Sequence, residues 1–397
     1  MEAIPYGRQF ITDEDIQAVT EALKSDYLTQ GPRIAEFEEA FANYVGSKYA
    51  VAISNGTAAL HLCALALNVK EGDKVITTPI TFAASANCVR YCGGEVVFAD
   101  IDPDNYLLDI DKVRKLLEAS PKGTYKGIIP VDFAGRAVDL DAFRQLADEY
   151  GLWIIEDACH APGGFFTKKN GEVSRCGSGA FADLAIFSFH PVKHIASGEG
   201  GMITTNNEQL HQRLLQLRTH GITKDHELFT NSPDFACGVE GASDYPSWYM
   251  EMQELGFNYR LTDFQAALGL SQLSRAEEGI QRRRAIAARY AEAFQRNPNV
   301  LSQSQSVEGH AYHLYVLEVK DRLGLYNHLR ANQVYTQIHY IPCHLMPYYR
   351  HQGNKEGDAP NAEAYYKNCI SLPMYPTLSM EEQEYVIECI DNYYSQS

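Results

Sequence analysis

The segment Phe187-Ser188-Phe189-His190-Pro191-Val192-Lys193-His194 sets a lysine between an aromatic, apolar stretch and a glycine-rich turn, Gly198-Glu199-Gly200-Gly201. It lacks the neighbouring charges of a solvated helix face. A lysine in a desolvated pocket loses affinity for its proton and becomes an amine nucleophile. A surface lysine fits the composition equally well, since lysine is rarely buried without a partner. Upstream, Ile154-Ile155-Glu156-Asp157-Ala158-Cys159-His160 places two acids just past an apolar strand, where open α/β sheets bind ligands. A carboxylate there can pair with a buried cationic ring nitrogen; a helix-capping Asp is the alternative.

Three further segments carry chemistry. Ser54-Asn55-Gly56-Thr57-Ala58-Ala59-Leu60 joins a strand to an apolar helix, so Gly56 permits close approach and the first-turn N–H groups can hold an anion such as phosphate. An ordinary Ser/Asn cap is the commoner use of such a sequence. Pro79-Ile80-Thr81-Phe82-Ala83-Ala84 puts Phe82 past a strand end, over a flat heterocycle or, more commonly, in the core. Gly256-Phe257-Asn258-Tyr259-Arg260-Leu261-Thr262-Asp263 opens a helix capped by Thr262 or Asp263, or turns its Asn and Arg toward an anion.

The elements that position these segments alternate. Helical spacing covers Thr12–Lys24, Arg33–Val45, Thr57–Leu67 and Leu140–Tyr150, and short β-branched runs predict strands at Tyr49–Ile53, Lys74–Thr77, Glu95–Ala99, Gly127–Val131 and Leu152–Ile155. That alternation predicts an α/β fold with a wound, mainly parallel sheet. From Asp225 to Gly256 no period survives, which predicts a mobile surface excursion or a functional loop. A helical pattern resumes over Thr262–Phe294. Strand Ala311–Val319, helix Asp321–Ala331 and strand Val334–Tyr340 then predict a smaller C-terminal α+β domain, giving domains of 1–270 and 271–397.

The chain has 397 residues, 45% of them apolar, enough for two packed domains rather than a disordered chain. Its 34 basic and 51 acidic residues give a formal charge of −17, which repels nucleic acid. No apolar run approaches the ~20 residues of a membrane span, and the stretch after Met1–Tyr6 is acidic and helix-like rather than a signal peptide. A cytoplasmic protein with no membrane partner is expected. The nine cysteines are irregularly spaced, and Cys88 with Cys92 is too isolated for a zinc or redox motif, so no metal is expected.

Taken together, the segments resemble the sugar aminotransferase family, pyridoxal-phosphate enzymes that aminate keto-sugars attached to nucleotides. Ser-Asn-Gly-Thr-Ala-Ala-Leu, Thr-Pro-Ile-Thr-Phe, Glu-Asp-Ala-Cys-His-Ala, Ser-Phe-His-Pro-Val-Lys, Gly-Glu-Gly-Gly and Gly-Phe-Asn-Tyr-Arg-Leu-Thr-Asp-Phe-Gln-Ala-Ala occur in the family's order, nearly end to end. The resemblance implies the fold type I transferase architecture, pyridoxal 5′-phosphate alternating with its pyridoxamine form, and L-glutamate as donor with 2-oxoglutarate as co-product. It implies a homodimer with shared sites. Lys193 would be attached to the cofactor and shuttle a proton, and Asp157 would keep the ring nitrogen protonated. Phe82 would stack on the ring, and Gly56, Thr57 and Ser188 would hold the phosphate with Asn258 of a neighbouring copy. His160 stands where many members carry glutamine near the ring hydroxyl, to which it could donate. A dehydrating branch of the family has histidine in place of Lys193, so the lysine argues for transamination.

Within the family, Ile4-Pro5-Tyr6-Gly7, Asp26-Tyr27-Leu28-Thr29-Gln30-Gly31, the Ser-Phe-His-Pro-Val-Lys form and Gln337-Ile338-His339-Tyr340 resemble the branch that aminates C4 of a UDP-linked 4-keto-6-deoxy-N-acetylhexosamine on the route to pseudaminic acid. Tyr6, Asp26, Tyr27, Leu28, Thr29, Gln337, Ile338, His339 and Tyr340 would line that sugar-nucleotide pocket, with Arg33 or Arg260 offsetting the acidic field. Other nucleotide-linked 3- or 4-keto-sugars are the alternative. A non-catalytic cofactor-binding regulator is a rival from another class. So is a nicotinamide-dependent oxidoreductase, although no G-x-G-x-x-G follows an early strand.

Overall fold

The computed structural model describes residues 2–395; Met1, Gln396 and Ser397, the ends of the two expected domains, lie outside the described residues. Seven short strands form the main sheet: β1 (Tyr49–Ile53), β2 (Lys74–Thr77), β3 (Glu95–Phe98), β4 (Tyr125–Ile129), β5 (Trp153–Asp157), β6 (Leu184–Ser188) and β7 (Gly201–Thr205). Their spatial order is β1-β7-β6-β5-β4-β2-β3, and only β7 runs against its neighbours. The mainly parallel wound sheet is therefore present. Parallel strands buried on both faces read as continuous apolar runs, as in Val51-Ala52-Ile53 and Ile154-Ile155.

Helices cover both faces. Gly56–Ala66 is apolar on nearly every side and buried accordingly, with the Asn55 side chain capping it through the Ala58 amide at 2.8 Å. Pro32–Val45 begins with proline at its first position, where no N–H is needed, and buries Phe37 and Phe41. The buried carboxylate of Asp263 accepts from the Gly31 and Arg33 amides at 2.8 and 3.2 Å, placing an anion at that helix's N-terminus.

Two expectations change. The run Thr262–Phe294 is two helices, Asp263–Leu273 and Ala276–Phe294, because Arg275 leaves helical geometry at ψ 15°; the expected domain boundary at residue 270 falls inside the first of them. The Val334–Tyr340 segment is extended but is not a strand. It meets its neighbours only at isolated bridges, Ile4 with Val334 and Gln337 with Ser371. The excursion 225–256 has its own order: Ile222–Thr223 pairs with Glu251–Met252, Tyr245 stacks on Tyr249, and the Glu251 carboxylate accepts from the Thr230 and Asn231 amides at 2.8 and 2.9 Å.

A second, antiparallel sheet consists of Val300–Gln303, Tyr315–Val319 and Cys369–Leu372, with Ala276–Phe294, Arg322–Ala331 and Met380–Ser395 contributing to its apolar core. No helix among the described residues is long and apolar enough to cross a membrane.

Candidate active site

One cavity of about 720 Å³ opens at the carboxyl ends of β1, β2, β4, β5 and β6. Each strand ends in a turn that delivers side chains to it. Gly56 and Thr57 follow β1, Phe82 and Ser85 follow β2, Asp157 ends β5 with His160 just beyond it, and Ser188 ends β6 with Lys193 just beyond it. The second sheet's side contributes His313, His339 and Tyr340, and the N-terminal segment contributes Tyr6.

Asp157 is 4% exposed, and its backbone is fixed on both sides, its N–H to Pro130 O at 2.9 Å and its carbonyl from the Asp132 N–H at 3.0 Å. Ser85 Oγ donates to Oδ2 at 2.6 Å and the Cys159 amide donates to Oδ1 at 3.2 Å. Beneath it Asp132 and Glu156 lie side by side with almost no exposure, their oxygens within 4.8 Å, and two buried carboxyls so close do not both ionise. Burial pushes Asp132 up to about 7 and raises Glu156 well above the usual carboxyl range.

Burial lowers the pKa of the Lys193 amine, against the opposing pull of the Cys159 and Asp157 groups, so its proton is held less tightly than that of a solvated lysine. Its Nζ lies 3.5 Å from His313 Nε2. His160, His194, His313 and His339 all have pKa values lowered by burial and are neutral rings around it.

The cavity suits a flat anionic heterocycle. The Gly56 and Thr57 amides make no hydrogen bond within the described residues, leaving two donors at a helix N-terminus. A Cβ on Gly56 would come within 3.0 Å of the Ser188 side chain and fill that cradle. Phe82 is 63% exposed at the cavity wall, so its ring face is free to stack.

Not every expected residue is there. Asn258 is exposed, on a segment bridged to Thr219, and does not line this chain's cavity. Asp26, Tyr27, Leu28 and Thr29 are exposed between the first two helices, Gln337 points outward, and Ile338 packs into the core. Arg33 pairs with Glu36 at 3.0 Å, and neither it nor Arg260 reaches the cavity. Conversely, Ser85 and His313 went unread in the sequence. Ser85 sits one position beyond the Thr-Phe-Ala-Ala run, and no local signal marks His313, which a distant segment supplies.

A wound sheet with a desolvated lysine, a buried carboxylate and a helix-terminal anion cradle at its strand ends defines a pyridoxal-phosphate-dependent aminotransferase. The model of the DegT/DnrJ/EryC1/StrS aminotransferase family matches residues 9–391, and the chain belongs to that family. It is 40% identical over 396 residues to the spore coat polysaccharide biosynthesis protein SpsC of Bacillus subtilis, covering 98% of this chain and 96% of that one. It is 34% identical to the UDP-4-amino-4,6-dideoxy-N-acetyl-beta-L-altrosamine transaminase of Campylobacter jejuni, covering 96% and 95%. Among solved structures, Helicobacter pylori PseC, an aminotransferase of pseudaminic acid biosynthesis, superposes with TM-score 0.86 at 29% identity over the whole of both chains. The PLP-form of a sugar aminotransferase from Streptococcus pneumoniae superposes with TM-score 0.85 at 28% identity, covering 99% of each.

Proposed function

We propose that this sugar aminotransferase moves the amino group of L-glutamate to C4 of a UDP-linked 4-keto-6-deoxy-N-acetylhexosamine, yielding UDP-4-amino-4,6-dideoxy-N-acetyl-β-L-altrosamine and 2-oxoglutarate. The observation that carries the reading is a desolvated lysine amine and a buried carboxylate lining one cavity. The relative from Campylobacter jejuni supports the sugar. Amination of a different nucleotide-linked 3- or 4-keto-sugar is the second reading, favoured by the higher identity to a protein of spore-coat polysaccharide synthesis.

The cofactor, when bound, supplies a ring that accepts electrons. The chain's residues do the rest. Lys193 would hold the cofactor covalently through Nζ, with loss of water, and once free its amine would take and return a proton. Asp157, oriented by Ser85, would keep a proton on the ring nitrogen. Phe82 would cover one ring face and exclude water from it. The Gly56 and Thr57 amides and the Ser188 hydroxyl would anchor the phosphate.

Asn258 would complete the phosphate site of a second copy in a homodimer. Its exposure supports this, as does the apolar surface of Phe235, Trp248 and Leu255 on the neighbouring excursion. Asp26–Thr29 and Gln337 would meet the sugar nucleotide only in that assembly. The cofactor would sit on a large domain of residues 1–270, with 271–397 as the small domain, in a cytoplasmic enzyme.

The test is to incubate holoenzyme with glutamate and a panel of UDP- and dTDP-linked keto-sugars and identify aminated products by mass and NMR. Amination of the UDP-linked 4-keto sugar is expected. Exclusive turnover of another keto-sugar would establish the second reading.

A further inference from the structure

The Ala134 amide donates to His160 Nδ1 at 3.2 Å. A backbone N–H only donates, so that nitrogen is bare, and in a neutral imidazole the hydrogen then sits on Nε2. Burial, reinforced by Lys193, His339 and His194, keeps the ring neutral. Nε2 lies 3.2 Å from Tyr340 Oη, and its hydrogen goes there. The phenol oxygen makes no other hydrogen bond among the described residues, so its own O–H is left to point away from His160, and Tyr340 lines the cavity.

Both ends of this relay are held rigidly. Ala134 adopts a left-handed φ of 59° in the turn Phe133–Gly135, which closes through the Gly135 amide onto Asp132 O at 3.1 Å. At the other end the Tyr365 hydroxyl donates to His339 O at 2.5 Å, and His339 Nδ1 lies 2.9 Å from Ser371 Oγ. The rings of His160 and Tyr340 lie near parallel, at 25°.

We propose that Tyr340, rather than His160, is the hydrogen-bond donor turned toward an oxygen acceptor of the bound reactants, with His160 the positioning residue behind it. His160 has one N–H, and Tyr340 consumes it. The acceptor is an sp² or phenolate oxygen, supplied either by the sugar ketone or by the cofactor's ring oxygen. The ketone arm rests on the function proposed above.

Three measurements test this. In the 15N spectrum of the histidine-labelled apoprotein, His160 should show a bare Nδ1 and a protonated Nε2; the opposite tautomer overturns the proposal with no reaction involved. In Tyr340→Phe holoenzyme, glutamate-driven release of 2-oxoglutarate and amination of the keto-sugar are followed as separate half-reactions, beside a pH titration of the visible absorbance band. If the ketone is the acceptor, only the sugar half-reaction slows, by roughly 10- to 100-fold. If the ring oxygen is the acceptor, the band's titration shifts to higher pH and both halves slow. An unchanged band with unchanged half-reactions overturns the proposal. His160→Leu should reproduce Tyr340→Phe, and His160→Gln, which can still donate to Tyr340, should move the band and rates back from the His160→Leu values toward those of the natural chain. A wild-type holoenzyme that releases no 2-oxoglutarate refutes the donor reaction instead, and is thereby distinguished from failure of this inference.

Discussion

Ser85 donates its only hydroxyl hydrogen to Asp157 at 2.6 Å, and its oxygen therefore accepts from Thr81 Oγ1 at 2.7 Å. The two hydroxyls form a directed relay ending on the carboxylate that faces the cavity. A hydrogen bond to a charged group is worth about 1.5–3 kcal/mol. Ser85→Ala should therefore lower kcat roughly 10- to 100-fold, with little change in the melting temperature or in the KM for sugar. Steady-state kinetics beside a thermal melt would check it, and an unaltered kcat would remove Ser85 from the account.

The lowered pKa of Lys193 has a consequence for labelling. Desolvation lowers its pKa, so at about pH 7 a larger fraction of it is unprotonated than of any ordinary surface lysine. Competitive labelling of the apoprotein with a small amine reagent at limiting concentration should modify Lys193 ahead of exposed lysines such as Lys126. Peptide mapping by mass spectrometry reads the order, and labelling of Lys193 no faster than the others would contradict the desolvated site.

The carboxyl pair beneath Asp157 predicts a pH dependence of stability. Burial raises Asp132 from 3.8 to about 7, so between those values the folded protein holds a proton that the unfolded chain has lost. More protons bound in the native state means that this group's contribution to stability falls as pH rises through that window. Asp132→Asn keeps the shape without the titration. Its stability relative to the natural chain should rise from about pH 4 to about pH 8, by up to about 4 kcal/mol. Denaturant unfolding at both pH values checks this, and a difference independent of pH would rule out a proton retained on Asp132.

Packing around the helix after the Asn258 segment is equally testable. A Cβ on Gly269 would come within 2.7 Å of the Phe37 ring, so Asp263–Leu273 lies on Pro32–Val45 at glycine distance. Gly269→Ala should destabilise by about 1–3 kcal/mol through overpacking, despite alanine's better helix propensity. Chemical denaturation measures it, and a stabilised variant would show that Phe37 has room to move.

Strand ends and their turns were legible in the sequence because each is a short local pattern: an apolar run followed by Ser-Asn-Gly, Thr-Phe or Glu-Asp. The mainly parallel sheet followed from their alternation. Sheet order did not, since β7 is inserted between β1 and β6 by a pairing distant in sequence. The Val334–Tyr340 run has strand composition, yet only Ile4 and Ser371 bridge it, and no spacing rule reveals how few partners a segment will find. Lys193 and Asp157 were readable as candidates, but the lysine's desolvation depends on His313 and its neighbours, brought in from the other end of the chain. The direction of the His160 hydrogen bond depends on one backbone amide, Ala134, and composition carries no trace of it.

Every role assigned in the cavity depends on Lys193 binding the cofactor covalently beside Asp157. Borohydride reduction of the holoenzyme followed by peptide mass mapping is the decisive experiment. The reduced cofactor's mass is expected on the peptide containing Lys193, and both that mass and turnover should be lost in Lys193→Ala. Cofactor fixed to a different lysine, or turnover retained by Lys193→Ala, would contradict the assignment.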